Sequence, residues 1–136
     1  MLLATLDVPF SEEAISFALD SAVESGHPLL LVNAVEVLPT IYTVLGYGYI
    51  ERDELQEALQ KPADLARSLA VQVERLRVCS PHPVDALLEL VAERDAALLV
   101  FGPERARLRP RRYRRAKKKI CRRAGCLTWF ADTAYG

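Results

Sequence analysis

The sequence predicts an open α/β sheet: five parallel strands with four helices packed on both faces. Three observations carry that expectation. Short apolar runs, Leu2–Leu6, Leu29–Val37 and Ala96–Phe101, have the length and composition of strands buried on both sides. Between them lie longer segments whose apolar residues recur at helical spacing. The two kinds alternate along the whole chain, and right-handed crossovers turn such an alternation into a parallel sheet. The 136 residues fit one domain, residues 1–136.

Taken in order, Leu2 to Leu6 forms the first strand and Asp7 ends it. Pro9 forces a turn, Ser11 stands at a helix N-cap, and Glu12 and Glu13 place acids in the first turn, where the helix dipole favours them. Ala14, Ile15, Ala18, Leu19, Ala22 and Val23 share one face of that helix, and Gly26 ends it. Leu29 to Val37 is the second strand. A loop follows from Leu38 to Ile50, punctuated by Pro39, Gly46 and Gly48 and carrying Tyr42, Tyr47 and Tyr49. Helical spacing resumes near Asp53. Pro62 predicts a short helix, a break, and a longer helix presenting Leu65, Ala66, Leu69, Val73 and Leu76.

Arg77 to Cys79 reads as a weak third strand, and Val84, Leu87, Leu88 and Val91 mark a third helix. Ala96 to Phe101 is the fourth strand, closed by Gly102-Pro103. A basic loop over 104–111 leads to a helix from about Arg112, with Tyr113, Ala116, Ile120 and Ala124 as a thin apolar stripe and Gly125 as its cap. Cys126 to Ala131 is the fifth strand, and 132–136 a tail. In such sheets ligands settle beyond the C-terminal strand ends, where the strand order reverses. Asp7 and the stretches after Val35 and Phe101 are therefore the positions of interest.

Charge is unevenly spread. Residues 1–104 hold 6 Lys/Arg and 17 Asp/Glu (6 − 17 = −11), and residues 105–136 hold 12 and 1 (12 − 1 = +11). All twelve bases of the second part lie in 105–123. That segment is a candidate for an anionic partner, nucleic acid included, through Arg111, Arg112, Lys117, Lys118, Lys119 and Arg122. A single aromatic, Tyr113, argues against base stacking. The alternative is a solvated helix neutralised by acids of the same or a sister chain. No apolar run approaches the ~20 residues of a membrane span. Cys79, Cys121 and Cys126 lack metal-ligand spacing and read as reduced thiols, as in a cytoplasmic protein. His27 and His82 flank prolines and pair in sequence with no nucleophile or metal ligand.

The order and spacing of three segments resemble the universal stress protein family: Asp7 followed by Ser11-Glu12-Glu13-Ala14, the strand Leu30 to Val37, and Ala96 to Gly102 followed by a helix and an apolar last strand. The resemblance implies an aspartate on the adenine side at Asp7 and a backbone contact near Ala34. Members that bind ATP carry a glycine after the fourth strand, another three residues on, and a Gly-Ser or Gly-Thr pair about ten residues later. Gly102 matches the first position, Arg105 stands at the second, and the last falls near Arg114-Arg115-Ala116. Glycine lets the backbone close on phosphates, and an arginine side chain does not. The resemblance therefore implies a non-catalytic regulatory or binding protein, with no cofactor expected and no ATP held in the family manner. The alternative is ATP bound through Arg105, Arg114 and Arg115. It also implies a homodimer through the last strand, with Leu127, Trp129 and Phe130 near the seam.

Overall fold

The computed structural model describes residues 1–37 and 53–130, with the side chains of 53–56 and 58 excepted. The tyrosine-bearing loop, the end of the last strand at Ala131 and the tail lie outside the described residues. Five strands form one sheet: β1 (Leu2–Thr5), β2 (Leu29–Glu36), β3 (Val73–Ser80), β4 (Leu98–Phe101) and β5 (Leu127–Phe130). Their order is β3-β2-β1-β4-β5 and every pairing is parallel. The described helices are α1 (Glu12–Ser25), α2 (Asp53–Ser68), α3 (Pro83–Glu93) and α4 (Pro110–Arg123).

Two apolar layers sandwich the sheet. Ala14, Ala18, Leu19 and Ala22 of α1 and Leu59, Ala63 and Ala66 of α2 cover one face, against Leu3, Leu29, Leu31 and Val100. Leu87, Leu88, Leu90 and Val91 of α3 and Tyr113, Ala116 and Ile120 of α4 cover the other, against Leu2, Ala4, Leu30, Val32, Ala34, Leu99 and Phe101. Successive strand residues therefore feed opposite layers, which is why the sequences of β1, β2 and β4 are nearly continuous apolar runs rather than alternating. The ends of α1 follow the sequence. The Ser11 hydroxyl accepts from the Ala14 N–H at 3.1 Å, and Gly26 takes the left-handed conformation at φ 72°.

Several expectations change. Pro62 does not break its helix: α2 runs unbroken from Asp53 to Ser68 with the proline inside and buried. An interior proline costs about 3 kcal/mol, and burial of Leu59, Ala63 and Ala66 on the sheet outweighs it. The helix ends at a left-handed Ala70 (φ 60°), so Val73 and Leu76 belong to β3 and not to a helical face. β3 is accordingly eight residues long, an edge strand in which the exposed Glu74, Arg75 and Arg77 interrupt the apolar residues, and that interruption hid it. α4 begins at Pro110, two residues early, because proline suits the first helical position, and Ala124 rather than Gly125 caps it. Cys126 precedes β5 rather than opening it. Val23 is exposed, as is Cys121.

Candidate functional site

The strand order reverses at β1, which has β2 on one side and β4 on the other. Beyond the C-terminal ends of these strands lie the segments after Thr5 and after Phe101. They are tied to each other. The Ser11 N–H donates to the Gly102 carbonyl at 2.9 Å, the Glu104 N–H donates to the Pro9 carbonyl at 2.8 Å, and Phe10 and Pro103 form an antiparallel bridge. The segments after β1 and β4 are thus engaged in a local ladder.

Gly102 is buried in this ladder. A Cβ placed on it would stand 2.1 Å from the Ala14 Cβ, an impossible approach. The absent side chain therefore lets α1 close on the end of β4. Its close approach serves packing on the α1 face. Arg105, at the second glycine position, begins a short 3₁₀ turn, Arg105–Arg107, and lays its guanidinium 4.3 Å from the centre of the Tyr113 ring. Arg114 is exposed on α4. Arg115 is exposed as well and lines a cleft whose described lining includes neither Arg105 nor Arg114.

Asp7 holds a left-handed backbone at φ 56°, and its N–H donates to the Asn33 Oδ1 at 2.7 Å. Below it the Thr5 hydroxyl donates to the Val8 carbonyl at 2.8 Å. The turn after β1 is thus built by Thr5 and Asn33, which are the buried polar residues among those described. Asn33 was not among the sequence-derived candidates. Its signal was there: one amide inside the apolar run Leu29 to Val37. Ala34 is fully buried beneath α3 and α4. β2 pairs with β1 only as far as Asn33 and runs on to Glu36, so its last three residues flank a notch above the end of β1.

A cleft of about 220 Å³ occupies that notch on the α3–α4 side, lined by Leu6, Glu36, His82, Val84, Arg112, Arg115 and Lys119 among others. Arg112 Nη2 stands 3.5 Å from Glu36 Oε2. That is ion-pair range, but the geometry makes no hydrogen bond, and the nitrogen is buried without an acceptor among the described residues. An orphaned guanidinium nitrogen is costly, and an incoming anion relieves it. Lys119 Nζ meets Asp85 Oδ1 at 2.8 Å, and Arg123 bonds the same oxygen. The Lys119 hydrogen bond, seconded by Arg123, holds the Asp85 carboxyl below its ordinary range. Asp85 so ties α4 to the start of α3. A larger hollow of about 330 Å³ lies at the opposite sheet edge, around Met1, Pro28 and Gln72. Its charged side chains, Glu74 and Arg94, are already paired with each other at 3.1 Å.

The sequence-derived cations thus divide three ways. Arg112, Arg115 and Lys119 line the cleft. Lys117 sits 5.2 Å from the centre of the Phe130 ring. Arg111, Lys118 and Arg122 are exposed, as is Arg114. At the sheet edge, Leu127 is 75% exposed. Trp129 stacks on Phe17 of α1 at 4.4 Å, and Phe130 packs edge-on against Phe101.

Among curated proteins, none matches the chain by sequence. Solved structures match its fold. A protein of the universal stress protein family from Burkholderia pseudomallei is 17% identical, with a TM-score of 0.63 and 96% of each chain covered. The universal stress protein from Archaeoglobus fulgidus, in complex with dAMP, is 20% identical with a TM-score of 0.63, covering 95% of this chain and 94% of that one. A family member from Arabidopsis thaliana with AMP bound is 13% identical with a TM-score of 0.60, covering 95% and 88%. No described helix is long and apolar enough to cross a membrane. The sequence profile described as the Universal stress protein family matches residues 1–119, spanning β1 to most of α4, and with the β3-β2-β1-β4-β5 parallel sheet it places this chain in that family.

Proposed function

We propose that the chain is a regulatory binding protein without turnover, and that it takes a nucleoside monophosphate in the Arg112 cleft rather than a triphosphate in a glycine cradle. The observation that carries this reading is the buried Arg112 Nη2, which lacks an acceptor among the described residues and faces a notch at the C-terminal strand edge. Arg115 and Lys119 add positive charge beside it. One phosphate meets that arrangement. A triphosphate would need the backbone of 102–105, which is bridged to 9–11 and packed on Ala14. The relatives with AMP and dAMP bound support the ligand class. Among the described residues Glu36 is the carboxylate that lines the cleft, and it stands beside Arg112 at ion-pair distance.

Calorimetry with AMP and ATP tests the proposal. AMP is expected to bind more tightly than Mg-ATP, and Arg112→Gln to weaken AMP by roughly 10-fold or more, the loss of one charge-assisted hydrogen bond. Tighter ATP binding, or phosphate release from ATP, overturns it. We also infer pairing of two chains through β5, whose outer edge has no partner strand among the described residues and carries the exposed Leu127. Size-exclusion chromatography with light scattering should give twice the chain mass, and Thr128→Pro should give one; a wild-type monomer removes the inference.

A further inference from the structure

The outward face of α4 carries a row of cations, of which only Arg115 also lines the cleft. On a helix of 3.6 residues per turn, Arg111, Arg115, Lys118 and Arg122 fall in one narrow stripe and Arg114 borders it. All five are exposed, and none has an ion-pair partner among the described residues. The cations flanking the stripe differ: Arg112 faces Glu36, and Lys119 and Arg123 share Asp85. Among the described residues the acids that reach α4 lie along its sides, and its crest is left uncompensated. The stripe rises about 17 Å from first to last residue.

We propose that this crest docks duplex nucleic acid through its phosphates, without reading sequence. The chemistry selects that partner over other polyanions. Four of the five cations are arginines, which grip phosphate with paired hydrogen bonds. Their steps of three and four residues give an evenly spaced row, suited to an evenly spaced row of phosphates. Tyr113 is buried and stacks on Phe101, so the crest offers no ring for an unpaired base. No leucine, isoleucine, valine or aromatic side chain lies on the crest, so it lacks the apolar face by which a helix enters a lipid surface. It equally lacks the apolar anchors of a protein interface. The inference is independent of the monophosphate cleft; only Arg115 borders both.

Fluorescence anisotropy with labelled 20-base-pair duplexes of two unrelated sequences tests it. Binding is expected to be equal for both. With five phosphate contacts the log–log salt slope should lie near −4.5, a loss of about 500-fold between 50 and 200 mM NaCl. The triple variant Arg111→Gln, Lys118→Gln, Arg122→Gln avoids the shared Arg115 and should lower that slope by about 2.7. Circular dichroism and AMP binding of the variant should match the wild type, which separates this test from that of the cleft. No duplex binding at 50 mM NaCl, or a slope the variant leaves unchanged, overturns the proposal. So does equal or tighter binding to poly-glutamate or to phosphatidylserine vesicles.

Discussion

Asp7 is a backbone constraint two residues beyond the end of β1. Its φ of 56° is a conformation that aspartate tolerates and β-branched residues resist, and Asn33 holds its N–H there. If the residue is kept for the turn, glycine should replace it freely and valine should not. Asp7→Gly is expected to stay within about 1 kcal/mol of wild type in urea unfolding, and Asp7→Val to lose about 1–2 kcal/mol. Equal losses in both would mean that the carboxylate, rather than the backbone, holds the turn. The sequence showed that an acid ends the first strand. It did not show the left-handed backbone, because that depends on an amide 26 residues away.

At the scale of elements, the contact of α1 with the end of β4 turns on two small residues. Gly102 leaves the room that the Ala14 Cβ occupies. Gly102→Ala forces one of them to move, and overpacking of this kind costs typically 1–3 kcal/mol. Ala14→Gly empties the same space at about 1 kcal/mol of helix propensity. The double variant should therefore recover much of the Gly102→Ala loss, giving a coupling of at least 1 kcal/mol in a thermal-unfolding cycle. Additive losses would show that the two residues are not in conflict. The same pair marks the limit of reading motifs. A glycine after the fourth strand is visible in sequence, yet its purpose is decided by what lies across from it. Elements with strong apolar periodicity, such as β1, β2, α1 and α3, were legible because burial alone dictates them. β3 and α2 were not: an edge strand exposes half its residues, and one proline looks like a stop until tertiary packing outweighs it.

Across the whole molecule the −11 and +11 segments do not simply cancel. Glu36 and Asp85 reach α4, but they engage only Arg112, Lys119 and Arg123. Within α4, nine of fourteen residues are cations. Five like-charge pairs stand four residues apart (111–115, 114–118, 115–119, 118–122, 119–123) and five stand three apart (111–114, 112–115, 114–117, 115–118, 119–122). At about 0.2–0.5 kcal/mol each, their repulsion sums to roughly 2–5 kcal/mol. Among the described residues the ion pairs to Glu36 and Asp85 lie at the surface, where such pairs return little. Arg111 and Arg112 add a further cost, since they stand in a first turn that holds no acid and where the helix dipole is positive. Repulsion should therefore exceed attraction, and screening should stabilise the fold. The melting temperature is expected to rise as NaCl goes from 10 to 300 mM, where the Debye length falls below the span of the stripe. Sodium sulfate at equal ionic strength should raise it further, because a divalent anion binds the native crest. A melting temperature that falls with salt would mean that the bonds to Glu36 and Asp85 dominate and that α4 is neutralised from within. A helix held in place against its own repulsion gains stability when an anion covers it, so stability and ligand binding on this face should rise together.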